Sequence, residues 1–334
     1  MSTLAPAPAG QPTPMTTGPG RRSSPLSWRW TDRIALVSAW LAGLGLCAIA
    51  AAIVGYMGYR GIQYLRPDLL FSRPAVSTSQ SGSGGFLDPL LGTAVLTVIG
   101  IVLAVPLAIA SAVWIAEYGR PTWLARAVES CIEIVAGTPD IVIAIFGLAI
   151  FQLNLAAPFS FKASGGGVFG KSFIAAGAMM SLIALPPLYT ATRDGLQAVP
   201  AHMREAAFAL GKTRIATIRR VLLPSVRSNI ATGVTLGVSR IIGDTAIVVL
   251  LLGDTMRFEG QGSVPGLSVL RGTGSTLTSY VYNNSPAGEG AAPQKAYAAA
   301  VVLMVFVLAL NLLVSRIGRS TADASGLSGT GGVV

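Results

Sequence analysis

Residues 228–253 read SNIATGVTLGVSRIIGDTAIVVLLLG, an apolar stretch interrupted by two charged side chains, Arg240 and Asp244. The stretch exceeds the roughly 20 residues that a helix needs to cross the hydrocarbon core of a bilayer. Arg240 lies 12 residues beyond Ser228, which at 1.5 Å per residue is about 18 Å into the helix, near the bilayer midplane. A charge at that depth costs about 2.5–3.5 kcal/mol on insertion scales, so its presence needs a reason.

Two interpretations of these charges remain open at the level of sequence. Asp244 follows Arg240 by one helical turn, so the two side chains are expected to share a face and to pair. Such a pair could fix helix packing, or Arg240 could present its planar guanidinium fork to the oxygens of an anion. Because ionisable residues inside a membrane usually mark transport pathways, we predict an anion path through Arg240, Asp244 and Thr245.

The rest of the chain is also too apolar for a soluble protein. Its residues are 52% hydrophobic and 11% charged, whereas soluble domains carry about 25% charged residues. Helices satisfy their own backbone hydrogen bonds in lipid, which favours an all-α integral membrane protein. The membrane domain is expected over residues 31–319, between disordered cytoplasmic tails at 1–30 and 320–334. Six transmembrane helices are predicted, at residues 34–59, 89–116, 132–156, 172–192, 228–253 and 296–315.

The basic residues predict the orientation of the chain in the membrane. With the N-terminus inside, 15 Lys and Arg fall on the inner side and 8 on the outer side, with Arg240 in the membrane. This excess places both termini in the cytoplasm. It also explains the net charge of +10 without nucleic-acid binding. Cys47 and Cys131 have apolar neighbours and no CxxC partner, so buried thiols are expected.

The longest predicted inner loop covers residues 193–227. Pro200 is a plausible helix start and Gly211 a plausible stop, and a second, basic helix is expected over residues 213–223, ending at Pro224. The small side chains of Ala206 and Ala207 would let another protein approach closely. The composition alone leaves two alternatives open, docking of a protein or adsorption to anionic lipid head groups.

The spacing within this loop resembles the EAA loop of ABC importer permeases. Glu205-Ala206-Ala207 is followed after three residues by Gly211, and after nine more by Val221-Leu222-Leu223-Pro224. In that family the loop docks into a groove on the ATPase subunit and transmits its motion. The resemblance therefore implies a coupling loop that contacts the ATPase through Glu205, Ala206, Ala207, Gly211, Leu223 and Pro224.

A wider resemblance covers about residues 85–317. SRIIGDTAIVVLL is similar to the ARAIGETAPLLL segment of phosphate-importer permeases, and IVAGTPDIVIAIFGL is similar to their LAGVPSIVYGLFGL. Gly92, Thr93, Glu117 and Tyr118 match a further segment, GT…PLG…AIYLxEY. The closing stretch from SYVYNNSP favours the A-type (PstA-like) subunit. The resemblance implies the type I importer permease fold and a multi-pass pore subunit for inorganic phosphate in the cytoplasmic (inner) membrane, which is not itself an enzyme.

The resemblance also implies the partners of the chain. These are a paralogous permease subunit, two ATPase subunits, an extracytoplasmic phosphate-binding protein and membrane lipid, with no nucleic acid. No cofactor is expected in this chain, since ATP and Mg²⁺ would be bound by the partner ATPase. Two departures keep sulfate or another oxyanion open as the substrate: Asp140 stands where the family has Ser, and Asp244 where it has Glu. A scaffold that recruits a partner without transport also remains open.

A competing motif occurs at residues 165–172. The string GGGVFGKS fits the phosphate-binding P-loop pattern G-x-x-x-x-G-K-[ST] and would make the chain a membrane ATPase. A P-loop requires a buried strand before it and a soluble α/β core around it. Here the motif is flanked by membrane spans and falls on the predicted outer side, away from ATP. We therefore interpret it as a Gly-rich turn before the fourth span.

Overall fold

The computed structural model describes residues 30–74, 84–119, 122–161, 167–253, 267–285 and 293–323. Within these ranges the chain is mainly helical and contains no β-strand. The α-helices in chain order are α1 (Trp30–Tyr64), α2 (Pro67–Phe71), α3 (Leu87–Trp114), α4 (Trp123–Gly137), α5 (Asp140–Phe151), α6 (Phe173–Ala198), α7 (Ala201–Ala209), α8 (Arg214–Thr217), α9 (Leu223–Ser225), α10 (Arg227–Gly243), α11 (Leu267–Leu270), α12 (Leu277–Asn284) and α13 (Pro293–Asp323). Three π-helical turns, Ile115–Gly119, Ile218–Leu222 and Val248–Leu252, and one 3₁₀ turn, Asn154–Phe159, complete the helical segments.

The all-α membrane architecture expected from the sequence is confirmed. Among the described residues, α1, α3 with its π turn, α6 and α13 are each long and apolar enough to cross a membrane. These four helices coincide with the spans predicted near residues 34–59, 89–116, 172–192 and 296–315. Counting α4 and α5 as one bent span brings the number to five.

The predicted span over residues 132–156 is not a straight helix. α4 and α5 meet at an angle of 109° across Thr138 and Pro139. The residue before a proline is driven out of the α region, and proline has no N–H to donate. Accordingly, Thr138 is extended, with ψ 132°, and Pro139 caps α5.

The predicted span over residues 228–253 is broken as well. α10 ends at Gly243, and Asp244 has an extended backbone, with ψ 130°. The chain turns helical again after Thr245 and finishes in the π turn Val248–Leu252. The fifth predicted span is therefore two helical pieces around an unwound pair of residues, and neither piece alone reaches the length of a membrane crossing.

The core lies where α3, α6 and α10 pack together. A Cβ on Gly233 of α10 would lie 3.0 Å from the Cα of Leu188 on α6. Glycine at this contact allows the close helix approach that is typical of membrane bundles. Buried side chains from α3, α5, α6, α10 and the π turn Val248–Leu252 form one apolar cluster, which includes Leu96, Met180, Ile241 and Leu251.

Three local expectations differ from the structure. Cys47 and Cys131 are exposed thiols, not buried ones, because they lie on outer faces of α1 and α4 where exposed apolar neighbours are also found. The predicted tail over 320–334 begins inside α13, which continues to Asp323. Trp30, assigned to the other tail, already belongs to α1, and the remaining tail residues lie outside the described ranges.

The chain divides between Gly55 and Tyr56 into two units. The functional residues discussed below all belong to the second unit. Within that unit, large apolar side chains remain exposed along the spans, among them Val102 of α3 and Leu308 of α13. An exposed apolar belt of this kind is unfavourable in water and is the surface that lipid requires.

Candidate functional site

Arg240 lies in the last turn of α10 and forms an ion pair with Asp140. Its Nη2 is 3.0 Å from the Asp140 Oδ1. The two side chains are 45% and 35% exposed, so the pair is accessible from outside this chain. The hydrogen bond to Asp140 uses one N–H of a guanidinium that carries five, and the exposed side of Arg240 can therefore receive further acceptors.

The α4–α5 bend brings Asp140 to this position. Asp140 is the first residue of α5 and directly follows the extended Thr138–Pro139 pair. Its carboxylate therefore does not lie along the axis of α4. Asp140 there contacts a residue 100 positions further along the chain, which its sequence neighbours did not indicate.

Asp244 does not pair with Arg240 as predicted. α10 ends before Asp244, so the two residues no longer stand one helical turn apart on one face. Instead the Asp244 Oδ1 accepts a hydrogen bond of 2.9 Å from the backbone N–H of Ile247. Asp244 is only 8% exposed. Its carboxylate caps the short helical segment that follows the break, a role that short polar side chains commonly have at helix starts.

Thr245 completes the unwound pair. It is partly buried, and its carbonyl accepts a hydrogen bond of 3.0 Å from the Val249 N–H. On the other side of the break, the Ile242 carbonyl accepts a hydrogen bond of 2.7 Å from the Thr278 hydroxyl on α12. Hydrogen bonds on both sides therefore stabilise the break. Of the three residues of the predicted anion path, Arg240, Asp244 and Thr245, Arg240 is the exposed one.

The loop between α6 and α10 has the predicted two-helix form. Pro200 caps α7, and Gly211 turns the chain with φ +71°, a left-handed conformation that glycine adopts without strain. Thr213 caps the second arm, where its hydroxyl accepts a hydrogen bond from the Ala216 N–H. This arm runs through α8, the π turn and α9 to Ser225, so the helix passes through Pro224 instead of ending there.

The exposed surface of the loop differs in one respect from the prediction. Glu205 and Ala206 are exposed, and so is Gly211, as contact with a partner requires. Ala207 is 6% exposed, because α7 turns it toward the chain itself. Leu223 and Pro224 are half-buried, since the second arm packs against α3 and α6 through Ile218 and Leu222, both of which are buried.

Two arginines fasten the loop to the end of α3. Arg204 Nε is 3.0 Å from the Glu117 Oε1. Arg214 donates a hydrogen bond of 3.2 Å to the Glu117 carbonyl oxygen, and its guanidinium carbon lies 5.0 Å from the centre of the Tyr118 ring. The sequence marked Glu117 and Tyr118 only as matching positions, and nothing local indicated which residues they contact.

The P-loop interpretation fails on the described residues. No β-strand precedes Lys171. Ser172 is the N-cap of α6, where its hydroxyl accepts a hydrogen bond of 3.0 Å from the Ala175 N–H and donates one of 2.6 Å to the Phe159 carbonyl. Gly165 lies outside the described ranges. The segment starts a membrane helix, so it lacks the strand-and-core setting that a P-loop requires.

Comparison with known protein families agrees with this arrangement of membrane helices and loop. Residues 100–322 match the family described as "Binding-protein-dependent transport system inner membrane component". The match includes α4, α5, the loop and all of α10.

This chain belongs to that family.

Relatives of this inner membrane component are named as transport permeases. A phosphate transport system permease protein PstA 1 from Mycobacterium tuberculosis is 30% identical over 235 residues, which are 70% of this chain and 71% of that protein. A phosphate transport system permease protein PstC from Xylella fastidiosa is 28% identical and spans 67% of this chain and 69% of its own. A probable ABC transporter permease protein, YqgH of Bacillus subtilis, is 28% identical over 81% of this chain and 87% of its own.

Solved structures support the fold. A chain of a bacterial alginate ABC transporter, in complex with its pentasaccharide-bound periplasmic protein, aligns with a TM-score of 0.59 at 17% identity, covering 88% of this chain and 98% of that chain. A chain of the MetNI methionine ABC transporter aligns with a TM-score of 0.51 and covers 71% of this chain and 94% of its own. The inner membrane component described here therefore has a type I importer permease-like fold.

Membership of the family also fixes the class of activity. The relatives are ABC transporter permease subunits, which are pore components and not enzymes. This inner membrane component is accordingly a multi-pass permease subunit that works with the other components of an ABC importer. In the part of the chain that the structure describes, no group of His, Cys, Asp or Glu residues could hold a metal ion.

Proposed function

We propose that this permease imports inorganic phosphate. The observation that carries the proposal is the exposed guanidinium of Arg240 in the last turn of a broken membrane helix. The relatives named as phosphate permeases support it. Discontinuous membrane helices are common at transporter substrate sites, because their unwound residues line a cavity in place of lipid. Inorganic phosphate offers the planar sets of oxygens that a guanidinium fork binds bidentately.

In this proposal Arg240 receives the anion and Asp140 holds Arg240 when the site is empty. An unpaired arginine within a membrane is unfavourable, and the carboxylate offsets part of that penalty. Arriving phosphate adds its oxygens to the free N–H groups of Arg240 and repels the carboxylate of Asp140. Asp244 and Thr245 shape the unwound segment behind Arg240, with Asp244 acting through the Ile247 N–H and not on the anion.

The loop over residues 193–227 is proposed to be the ATPase contact. Its exposed Glu205 and Ala206 would enter a groove on an ATPase subunit, and Gly211 would allow the tight turn between its arms. A full importer would then contain this chain in the A-type position, a paralogous permease, two ATPase subunits and an extracytoplasmic phosphate-binding protein. Both termini would lie in the cytoplasm, as the distribution of basic residues indicates.

Uptake in proteoliposomes tests the substrate. The chain is reconstituted with its partner permease, ATPase and external binding protein, and entry of labelled phosphate and labelled sulfate is measured with and without ATP. We expect ATP-dependent uptake of phosphate with no uptake of sulfate above the ATP-free background. Preferential uptake of sulfate would overturn the substrate assignment, and no ATP-dependent uptake of any anion would favour a scaffold.

Replacing Asp140 with Asn tests its proposed competition with the anion. The substitution removes the negative charge that occupies Arg240 in the empty site. Exposed ion pairs contribute about 0.2–1 kcal/mol, so the apparent KM for phosphate should fall by at most about fivefold. The measurement is the concentration dependence of phosphate uptake by the assembled importer.

Glu133→Gln is the control for Asp140→Asn. Glu133 is an exposed carboxylate on α4, the other half of the bent pair, so this variant removes the same charge without freeing Arg240. Its KM should stay at the wild-type value. A KM that rises in Asp140→Asn would show that Asp140 supports the anion site instead of competing for it.

A further inference from the structure

Both arms of the loop between α6 and α10 converge on one short segment, Glu117 and Tyr118. In the first arm, Arg204 of α7 bonds the Glu117 carboxylate at 3.0 Å. The same guanidinium donates to the carbonyls of Val199 and Leu196 at 2.9 and 2.8 Å. These three contacts fix the orientation of the Arg204 guanidinium. They therefore attach α7 both to the end of α6 and to Glu117.

The second arm reaches the same segment from the other side of the Gly211 turn. Arg214 of α8 donates a hydrogen bond of 3.2 Å to the Glu117 backbone carbonyl. Its guanidinium also lies over the Tyr118 ring, with 5.0 Å between the guanidinium carbon and the ring centre, within the range of a cation–π contact. The two arms are thus attached to adjacent residues of a third element.

The position of Glu117 connects the loop to the end of α3. Glu117 lies in the π turn Ile115–Gly119 that ends α3, and π turns of this kind are frequent at functional sites. α3 packs along α6 and against α10, the helix that carries Arg240. A displacement of the loop would therefore be passed to α3 at its end and along α3 to the pore helices.

The burial of Glu117 makes the attachment strong. Its side chain is 8% exposed and that of Arg204 is 23% exposed. Removing one partner of a buried pair leaves an uncompensated charge, which is far less favourable than keeping both or losing both. The pair therefore resists separation, and loop and helix end move as one body through Glu117 and Arg204.

We propose that the Glu117–Arg204 ion pair is a positioning contact that couples movement of the loop to α3. It goes beyond the proposed docking of the loop, and it rests on that docking because the ATPase must move the loop. A conformational change of the ATPase would displace α7, and the ion pair would transmit this displacement to α3. The Arg214–Tyr118 contact would make the second arm move together with the first. Without the ion pair the ATPase would still bind the loop and hydrolyse ATP, but the displacement would reach the pore only weakly.

A double-mutant cycle tests this coupling. Glu117→Ala, Arg204→Ala and the double variant are assembled with the partner subunits, and phosphate uptake per ATP hydrolysed is measured in proteoliposomes. We expect a loss of about tenfold in that ratio for each single variant, with ATP hydrolysis retained. The double variant should be no worse than Arg204→Ala, because residues that act as one unit are not additive.

Two further variants separate coupling from general damage to the fold. Glu129→Gln weakens a looser ion pair, 3.9 Å between the Glu129 Oε1 and the Arg193 Nη1, without touching Glu117, and its ratio should match the wild type. Glu117→Gln keeps an acceptor for Arg204 but removes the charge, and its ratio should lie between those of the wild type and Glu117→Ala.

Three results would overturn the proposal. The first is an unchanged ratio of phosphate uptake to ATP hydrolysis in both single variants, and the second is a pair of defects that multiply in the double variant. The third is loss of the ATPase from the complexes of both single variants, which would mean that the pair only shapes the docking surface. A separate experiment tests the docking proposal by reversing the charge of Glu205 on α7. If the ATPase still associates with that variant, the docking proposal fails.

Discussion

Replacing Arg240 with Ala is expected to reduce phosphate uptake by about two orders of magnitude or more. Hydrogen bonds to charged groups contribute about 1.5–3 kcal/mol each, so loss of a bidentate contact to phosphate exceeds the 2.8 kcal/mol that corresponds to about a hundredfold change. The variant also leaves Asp140 without its partner, so a negative charge remains where the anion should pass. Uptake of labelled phosphate by the assembled importer measures the effect.

Two controls separate loss of the site from loss of the protein. Arg316→Ala removes an exposed arginine from α13, far along the chain from the broken segment, and should transport normally. Arg240→Lys keeps the charge but not the planar fork, and should retain partial uptake at a raised KM. Arg240→Ala should still copurify with the other subunits, because its side chain is half-exposed. Normal phosphate uptake by the Ala variant would refute the anion site.

Reversing the charge at Glu205 should release the ATPase. Glu205 is exposed on α7, beside the small side chain of Ala206, so Lys at this position places a larger and oppositely charged group on the proposed contact surface. Like charges that face each other across an interface lower affinity strongly. We expect at least a tenfold decrease in ATPase retained on the purified permease, which corresponds to about 1.4 kcal/mol.

The matched control for Glu205→Lys is Asp68→Lys. Asp68 is also exposed but belongs to α2, outside the loop, so the same change in net charge should leave ATPase retention unaltered. A Glu205→Gln variant should fall between the wild type and Glu205→Lys. Equal retention in Glu205→Lys and Asp68→Lys would count against docking through α7 and would return the loop to the lipid-binding alternative.

The loop shows how far a local pattern can be read. Pro200 and Gly211 predicted its two arms correctly, because both residues restrict or permit backbone angles by their own covalent structure. The pattern did not reveal that Ala207 faces inward. Which side of a short helix is covered depends on the elements packed against it, and here α7 packs against α8 and the π turn Ile218–Leu222 of the second arm.

The charged stretch shows the opposite balance. The sequence identified Arg240 and Asp244 as the unusual residues, since charges in an apolar run are visible without any fold. It assumed a continuous helix through both and so paired them. The helix ends at Gly243, and Asp244 caps the next segment through the Ile247 N–H, a choice between local hydrogen bonds that composition does not decide.

Sequence alone thus determined that this chain is a helical membrane protein of a transport family, where four of its long apolar helices fall, and that Arg240 and the loop around Glu205 are its notable features. Long apolar runs and rigid or permissive residues act locally, so they can be read in order along the chain. Only the tertiary structure decided the partners: Asp140 for Arg240, and Glu117 for Arg204. These pairs join residues 100 and 87 positions apart, and they form because two helix ends, the α4–α5 bend and the π turn of α3, bring the charges together in space.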